Sequence, residues 1–323
     1  MLLSVVVPCY NEAVILGETH ARLVECLEPL GSFEVIYVDD GSEDGTLGQL
    51  RLLSGNDGRV RVVRLSRNFG QQIATSAGLE DARGAAVIVI DADLQDPPEV
   101  IPRMVALWRE GWEVVFGQRI ARAGDGWWQQ ASAKIFYRAL RQFFPPLPLD
   151  AGDFRLLDRV VVDALLRMPE RDRFLRGMVS WAGFRQIAVP FRRAARSGGK
   201  PGYSFRKSSR LAADAFFSFV PNLLRAALWV GLGAIGFALA MAGAGLVEWF
   251  VSHGRGMTAL ASFMAALLFL GGVQLVTLGL VGEYLGRILG EVKRRPLYFV
   301  SERFGFPNSE KPSGGAPERT DPE

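Results

Sequence analysis

Residues 86–99 read AVIVIDADLQDPPE, and this stretch decides the fold. Val87, Ile88, Val89 and Ile90 form a branched apolar run, the composition of a strand buried on both faces. The run stops abruptly at three carboxylates, Asp91, Asp93 and Asp96. A second stretch, YVDDGSEDGT over residues 37–46, repeats the pattern of an apolar run ending in acids and glycine. Working outward, strands are expected at Leu3–Val7, Glu34–Val38, Val60–Leu65, Ala86–Ile90 and Glu113–Phe116. Helical patterns lie between them, such as Glu12–Leu27 with apolar Val14, Leu16, Leu23, Val24 and Leu27. Buried strands alternating with helices predict a parallel α/β sheet. Ligands in such sheets sit beyond the carboxyl ends of the strands, where both acidic stretches fall.

Two carboxylates at i and i+2 with a small residue between them, as in Asp91-Ala92-Asp93, can approach one hard divalent cation. Such a cation keeps some waters and takes further oxygens from a diphosphate. The pair at one strand end, with Asp39-Asp40-Gly41-Ser42 at another, therefore points to a phosphorylated ligand. Glycine-rich phosphate loops offer no competing account. Gly231, Gly233 and Gly236 spell G-x-G-x-x-G, but inside an apolar run with no acidic residue about twenty positions on. Gly198-Gly199-Lys200 lacks the upstream glycine of a P-loop, so a nicotinamide-linked enzyme has no support.

The second half of the chain changes character. Trp127, Trp128, Phe136, Phe143 and Phe144 are interleaved with Lys134, Arg138 and Arg141, and Arg206, Lys207 and Arg210 precede Phe216, Phe217 and Phe219. Both stretches suit helices lying on a membrane surface. No charged residue occurs between Arg225 and Glu248 or between Arg255 and Glu283. At ~1.5 Å per residue each run reaches roughly 33 Å or more, enough for a hydrocarbon core of about 30 Å. Basic residues flank the pair on its outer ends, Arg225 before it and Arg287, Lys293, Arg294 and Arg295 after it. Both ends are thus expected in the cytoplasm. The hydrophobic fraction of 49% and mean hydropathy of +0.15 reflect these runs, and the net charge of +3 at a pI near 9.0 makes the position of the basic groups matter more than their sum. Met1 to Val7 has no basic flank and its apolar run ends at Pro8, which does not suit a signal peptide. Cys9 and Cys26 fit neither a metal spacing nor a disulfide framework and are expected as buried, reduced thiols.

Several stretches together resemble family 2 glycosyltransferases, and more narrowly the polyprenyl-phosphate glycosyltransferases, which include dolichol-phosphate mannose synthases, bactoprenol glucosyltransferases and aminoarabinose-type transferases. They are Pro8-Cys9-Tyr10-Asn11-Glu12, Asp39 to Thr46, Arg67-Asn68-Phe69-Gly70-Gln71-Gln72, Asp91 to Glu99, Asp150 to Arg159 and Arg173-Phe174-Leu175-Arg176-Gly177. The resemblance implies an α/β nucleotide-diphospho-sugar transferase (GT-A type) domain with a parallel-rich sheet, followed by amphipathic helices and two transmembrane helices. The expected divisions are a transferase domain over 1–204, an interfacial helix over 205–225, membrane helices over 226–250 and 257–282, and a basic segment with a disordered tail over 283–323. By the same resemblance Pro8, Tyr10, Glu12, Asp39, Asp40, Asn68, Gln71 and Asp91 bind the nucleotide sugar, Asp93 and Gln95 with Asp91 hold Mg²⁺ or Mn²⁺, and Asp153, Asp93 and Asp150 are the catalytic candidates. Arg119, Arg122, Lys134, Arg138, Arg192, Arg196 and Lys200 are the candidate cations for an acceptor phosphate.

The implied reaction is inverting transfer of a sugar from a UDP- or GDP-linked donor to a polyprenyl phosphate on the cytoplasmic leaflet of the inner membrane. Nucleic acid is not an expected partner, and the small-residue-rich helices suit packing between protomers. Where many relatives carry Gly-Glu-Ser/Thr-Lys-Tyr, this chain has Gly199-Lys200-Pro201-Gly202-Tyr203, so the lysine before the tyrosine is missing and Lys200 is the cation available to substitute. A processive polysaccharide synthase would add a Q-x-x-R-W motif and more membrane helices, and neither is found. A silent nucleotide-sugar-binding subunit would be marked by loss of the acids, all of which are present.

Overall fold

The computed structural model describes residues 2–119, 151–171, 173–192, 223–251 and 257–306. The chain divides into two units, Met1–Gly202 with Pro296–Glu323, and Tyr203–Arg295.

The first unit is built on strands β1 (Leu3–Cys9), β2 (Phe33–Asp39), β3 (Val60–Leu65), β4 (Ala86–Val89), β5 (Val114–Arg119), β6 (Ala151–Asp158), β7 (Gln186–Phe191) and β8 (Val300–Phe304). Its helices are α1 (Leu16–Leu27), α2 (Thr46–Asn56), α3 (Gln71–Asp81), α4 (Ile101–Arg109), α5 (Arg159–Arg167) and α6 (Leu175–Trp181). The strands form one sheet in the order β7-β5-β6-β4-β1-β2-β3-β8. Every residue of β1 and β2 is buried, because the pleat sends alternate side chains into two helical layers. Val5, Val7, Val35 and Tyr37 pack with Leu16, Leu23 and Leu27 of α1 and Met104 of α4 on one face. Val6, Ile36 and Val38 pack with Ala74, Ala77 and Leu79 of α3 and Val161 and Leu165 of α5 on the other.

The five expected strands are all present, but the sheet is mixed rather than parallel throughout. β6 runs antiparallel between β4 and β5, and β8 runs antiparallel on the outer edge of β3. β6 escapes a hydropathy reading because its charges are internally partnered. Arg155 donates to the Gly152 carbonyl at 2.9 Å and Asp158 accepts from Trp108 Nε1 at 2.7 Å. β1 and β4 are parallel neighbours whose outgoing chains turn to opposite sides, β1 toward β2 and β3 and β4 toward β5 and β6. This topological switch point opens a crevice beyond the carboxyl ends of β1, β2 and β4.

The second unit contains two described helices, α7 (Leu223–Val251) and α8 (Met257–Val292), which pack on each other with the Phe237 and Phe269 rings edge-on at 5.3 Å. Phe269–Val292 is, among the described residues, the one stretch long and apolar enough to cross a membrane, and Gly231–Gly245 is a shorter apolar stretch within α7. Leu239, Phe250, Leu275 and Val276 stand exposed on these helices, a surface that water does not tolerate in such density. α8 continues to Val292, past the end of the expected membrane interval 257–282. Within the interval 283–323, expected as a basic segment with a disordered tail, the chain completes α8 and then joins the sheet as β8. Its tail beyond 307 and the interfacial interval 205–222 lie outside the described residues.

Candidate active site

Three layers of contacts build the crevice. The first joins the loops after β1 and β2. Asn11, in the left-handed region at φ 57°, accepts the Glu43 N–H on Oδ1 at 2.9 Å and donates its own N–H to Ser42 Oγ at 3.0 Å. Glu12 N–H donates to Thr46 Oγ1 at 2.9 Å. Tyr10 is left 42% exposed at the mouth, Glu12 is half-buried, and Pro8 is buried in the strand end.

Asp39 and Asp40 lie under this surface rather than on it. Asp39 has no exposure, and its Oδ1 accepts the Ser42 N–H at 3.0 Å. Both oxygens of Asp40 accept backbone N–H groups of the next loop, Phe69 at 2.7 Å and Gly70 at 2.8 Å. Burial pushes the Asp40 carboxyl up, and those two N–H groups oppose it. Gly41 carries φ +68°, and a Cβ there would meet the Arg67 carbonyl carbon at 2.5 Å, so only glycine lets the two loops touch. Asn68 is exposed on the outer side, while the Arg67 guanidinium covers the Phe69 ring at 4.0 Å.

The second layer is the loop after β4. Asp91 Oδ1 accepts from Gln71 Nε2 at 2.5 Å. Leu94 sits at φ 54°, an uncommon conformation for a branched apolar residue, and it turns the chain so that Gln95 N–H reaches Asp93 Oδ1 at 3.1 Å. Gln95 and Asp96 are buried. Burial raises Asp91 to about 7, and the neighbouring Asp153, Asp96 and Asp93 add to the rise against Arg119. Asp91 thus carries its charge among other acids of the same crevice.

The third layer comes from β5, β6 and α6. Asp153 receives a two-pronged ion pair from Arg176, Nε at 2.8 Å and Nη2 at 2.9 Å. Burial pushes the Asp153 carboxyl up, but Arg176, Arg155 and Gln72 pull it to a net position below the ordinary 3.8. Arg155 is only 5% exposed, and burial lowers its guanidinium to about 10. Gln72 also accepts the Leu175 N–H at 3.2 Å, tying α3 to α6. Arg119 lies across Gly152 and pairs with Asp96 at 3.3 Å.

The crevice thus brings together Tyr10, Glu12, Gln71, Asp91, Asp93, Gln95, Asp153 and Arg119 from the sequence reading, with Asp39 and Asp40 beneath. Arg192 is exposed just after β7. Asp150, Arg122, Lys134, Arg138, Arg196 and Lys200 lie outside the described residues. Arg155, Arg176, Gln72 and Asp96 join the site without a role assigned from sequence, although all four stand in the motifs quoted above. The Cys9 thiol is buried and the Cys26 thiol half-buried, and burial raises both, as suits reduced packing residues. Among the described residues no group of three or more His, Cys, Asp or Glu side chains is placed to hold a metal ion by itself. Asp91, Asp93 and Gln95 nevertheless offer hard oxygen donors on the one loop after β4, a donor set that suits a cation taking its remaining oxygens from a diphosphate and water.

The Glycosyl transferase family 2 profile matches residues 4–166. A glycosyltransferase of Synechocystis, itself uncharacterised, is 47% identical over 94% of this chain and 96% of its own length. A bactoprenol glucosyl transferase of Shigella phage SfX is 36% identical over 94% of this chain and 100% of its own length. A mannosyltransferase of Pyrobaculum calidifontis, solved with GDP-Man and Mn²⁺, is 21% identical over 83% of this chain and 86% of that one, with a TM-score of 0.45. With its acids set at the strand ends of a mixed, mostly parallel sheet, this chain belongs to glycosyl transferase family 2 and is a glycosyltransferase.

Proposed function

We propose that the chain transfers one sugar from a nucleotide-diphospho-sugar to a polyprenyl phosphate, with inversion, at the cytoplasmic face of a membrane that its two apolar helices cross. The observation that carries this reading is the likeness to the phage bactoprenol glucosyl transferase, which runs through both units rather than the transferase domain alone. In the reaction an acceptor phosphate oxygen bonds to the anomeric carbon. The bond from that carbon to the donor diphosphate breaks, and the nucleoside diphosphate leaves with the electron pair.

The loops holding Tyr10, Glu12, Asn68 and Gln71 bind the nucleotide, shaped from below by Pro8, Asp39 and Asp40. Asp93, Gln95 and Asp91 would hold Mg²⁺ or Mn²⁺, which offsets the charge of the leaving diphosphate. A phosphate monoester has its second pKa around 6, so the acceptor is largely ionised at neutral pH and needs little help from a base. Asp153 suits that economy: paired with Arg176, it positions a guanidinium beside the acids instead of waiting for a proton. Arg119 and Arg192, with Arg122, Lys134, Arg138, Arg196 and Lys200, supply cations for the acceptor phosphate.

The test incubates the purified full chain with labelled UDP- and GDP-sugars, undecaprenyl phosphate and Mg²⁺ or Mn²⁺. Label moving from one donor into the lipid phase is expected. Label collecting in a soluble polymer, with none in lipid for any donor, would refute the acceptor assignment.

A further inference from the structure

The chain does not end its work at the membrane helices. After α8 it pairs β8 along the free edge of β3, with Val62 opposite Phe304 and Leu65 opposite Val300. β3 leads directly into residues 66–70, the loop whose far end is held by Asp40. The residue just before β8 grips the near end of the same loop, where Ser66 N–H donates to the Phe299 carbonyl at 2.8 Å. Ser301 Oγ donates to the carbonyls of Arg64 and Leu65 at 3.3 and 3.4 Å.

One side chain carries the contact further inward. Arg64 places Nη1 3.4 Å from Glu302 Oε1 on β8 and Nε 3.5 Å from Asp39 Oδ2 beneath the crevice. That Asp39 oxygen is buried and makes no hydrogen bond among the described residues, so the Arg64 charge is what answers it. Arg51 holds the other oxygen of Glu302 at 2.7 Å, which fixes the carboxylate in place.

We infer that β8 is a positioning strand for the donor pocket, and that Glu302 and Arg64 are positioning residues which set Asp39 and the 66–70 loop for the nucleotide sugar. The inference rests on the reading above that these loops bind the donor. A transferase domain cut off before the membrane helices would lack this edge. Donor binding is thereby made to depend on a segment that follows the helices in sequence.

The experiment uses the full chain in detergent and measures donor KM, kcat, acceptor KM, and direct nucleoside-diphosphate binding by calorimetry with UDP and GDP. Glu302→Gln removes the charge at nearly constant shape, and should raise donor KM and weaken nucleotide binding by about threefold to fivefold while kcat and acceptor KM hold. Glu302→Asp should recover much of that loss. Arg64→Gln leaves Asp39 unanswered and should cost about tenfold in donor KM. Tyr298→Phe, a change on the same returning segment that removes a 2.6 Å bond to Glu80 of α3, serves as the structural control and should lower melting temperature without moving donor KM. If folded Glu302→Gln and Arg64→Gln keep parental donor KM and nucleotide binding, or if Tyr298→Phe weakens donor binding as much as they do, the inference is wrong. Failure of the parent chain to label lipid at all, with nucleotide binding still lost in the Glu302 and Arg64 variants, would overturn the acceptor reading and leave this inference standing.

Discussion

Asp153 is gripped by the Arg176 guanidinium, and that pairing decides its chemistry. A carboxylate gripped at 2.8 and 2.9 Å by Arg176, with buried Arg155 alongside, is held ionised and is a weak proton acceptor at neutral pH. Removing Arg176 takes away the largest group that opposes burial and shifts the carboxyl up, against the smaller pull of Arg155 and Gln72. Arg176→Gln should therefore cost about 1–3 kcal/mol, kept modest because the arginine is partly exposed. In the parent the depressed Asp153 carboxyl contributes stability that is present above the unfolded pKa and lost as pH falls through the folded one, and Arg176→Gln removes part of it. Thermal melts should therefore show a larger deficit for Arg176→Gln near about pH 7 than near about pH 3, and an equal deficit at both would argue against a charge pair. The acids at strand ends were readable from sequence because a branched apolar run that stops at carboxylates marks a buried strand emerging into a polar crevice. The partners of Asp153 were not readable as such, since Arg155 and Arg176 gain their meaning only when β6 and α6 are folded together.

At the scale of elements, the site depends on loops that touch rather than on single side chains. The loop after β2 and the loop after β3 meet at Gly41, where an added Cβ would strike the Arg67 backbone at 2.5 Å while also occupying φ +68°. Gly41→Ala should destabilise the transferase unit by about 1–3 kcal/mol and weaken donor binding, because backbone cannot swing aside as a side chain can. Calorimetric melting and nucleotide titration on the same sample would check both effects. α1 is seated on β2 partly through His20, whose ring lies 3.1 Å from Tyr37 Oη and 3.5 Å from Asp57. Burial depresses this histidine below its ordinary 6.5, although Asp57 opposes the shift. The unfolded chain therefore binds the proton first, and stability drops as pH falls below 6.5. His20→Gln should flatten that dependence relative to the parent, and parallel melting curves between about pH 7 and 5 would contradict it. β1 and β2 were legible as strands because every side chain in them is buried and apolar runs result. β6 and β8 were not, because one carries charged residues with partners elsewhere in the fold and the other pairs with β3 across more of the chain than any local pattern spans.

At the scale of the whole molecule, one chain carries a transferase sheet and a pair of long apolar helices, and then returns to the sheet. The helices were legible from the charge-free runs alone, but the return was not: a short strand with Glu302 and Arg303 has the composition of a tail. The reaction proposed for this arrangement joins one sugar to one lipid phosphate. The direct test is mass spectrometry of undecaprenyl phosphate incubated with the full chain, the donor and a divalent cation, beside the same reaction with Asp93→Asn. A lipid heavier by a single sugar residue and still carrying one phosphate is expected, and it should be absent from the Asp93→Asn reaction although that variant melts as the parent does. A lipid product with two phosphates, or the same product formed at a normal rate by Asp93→Asn, would contradict it.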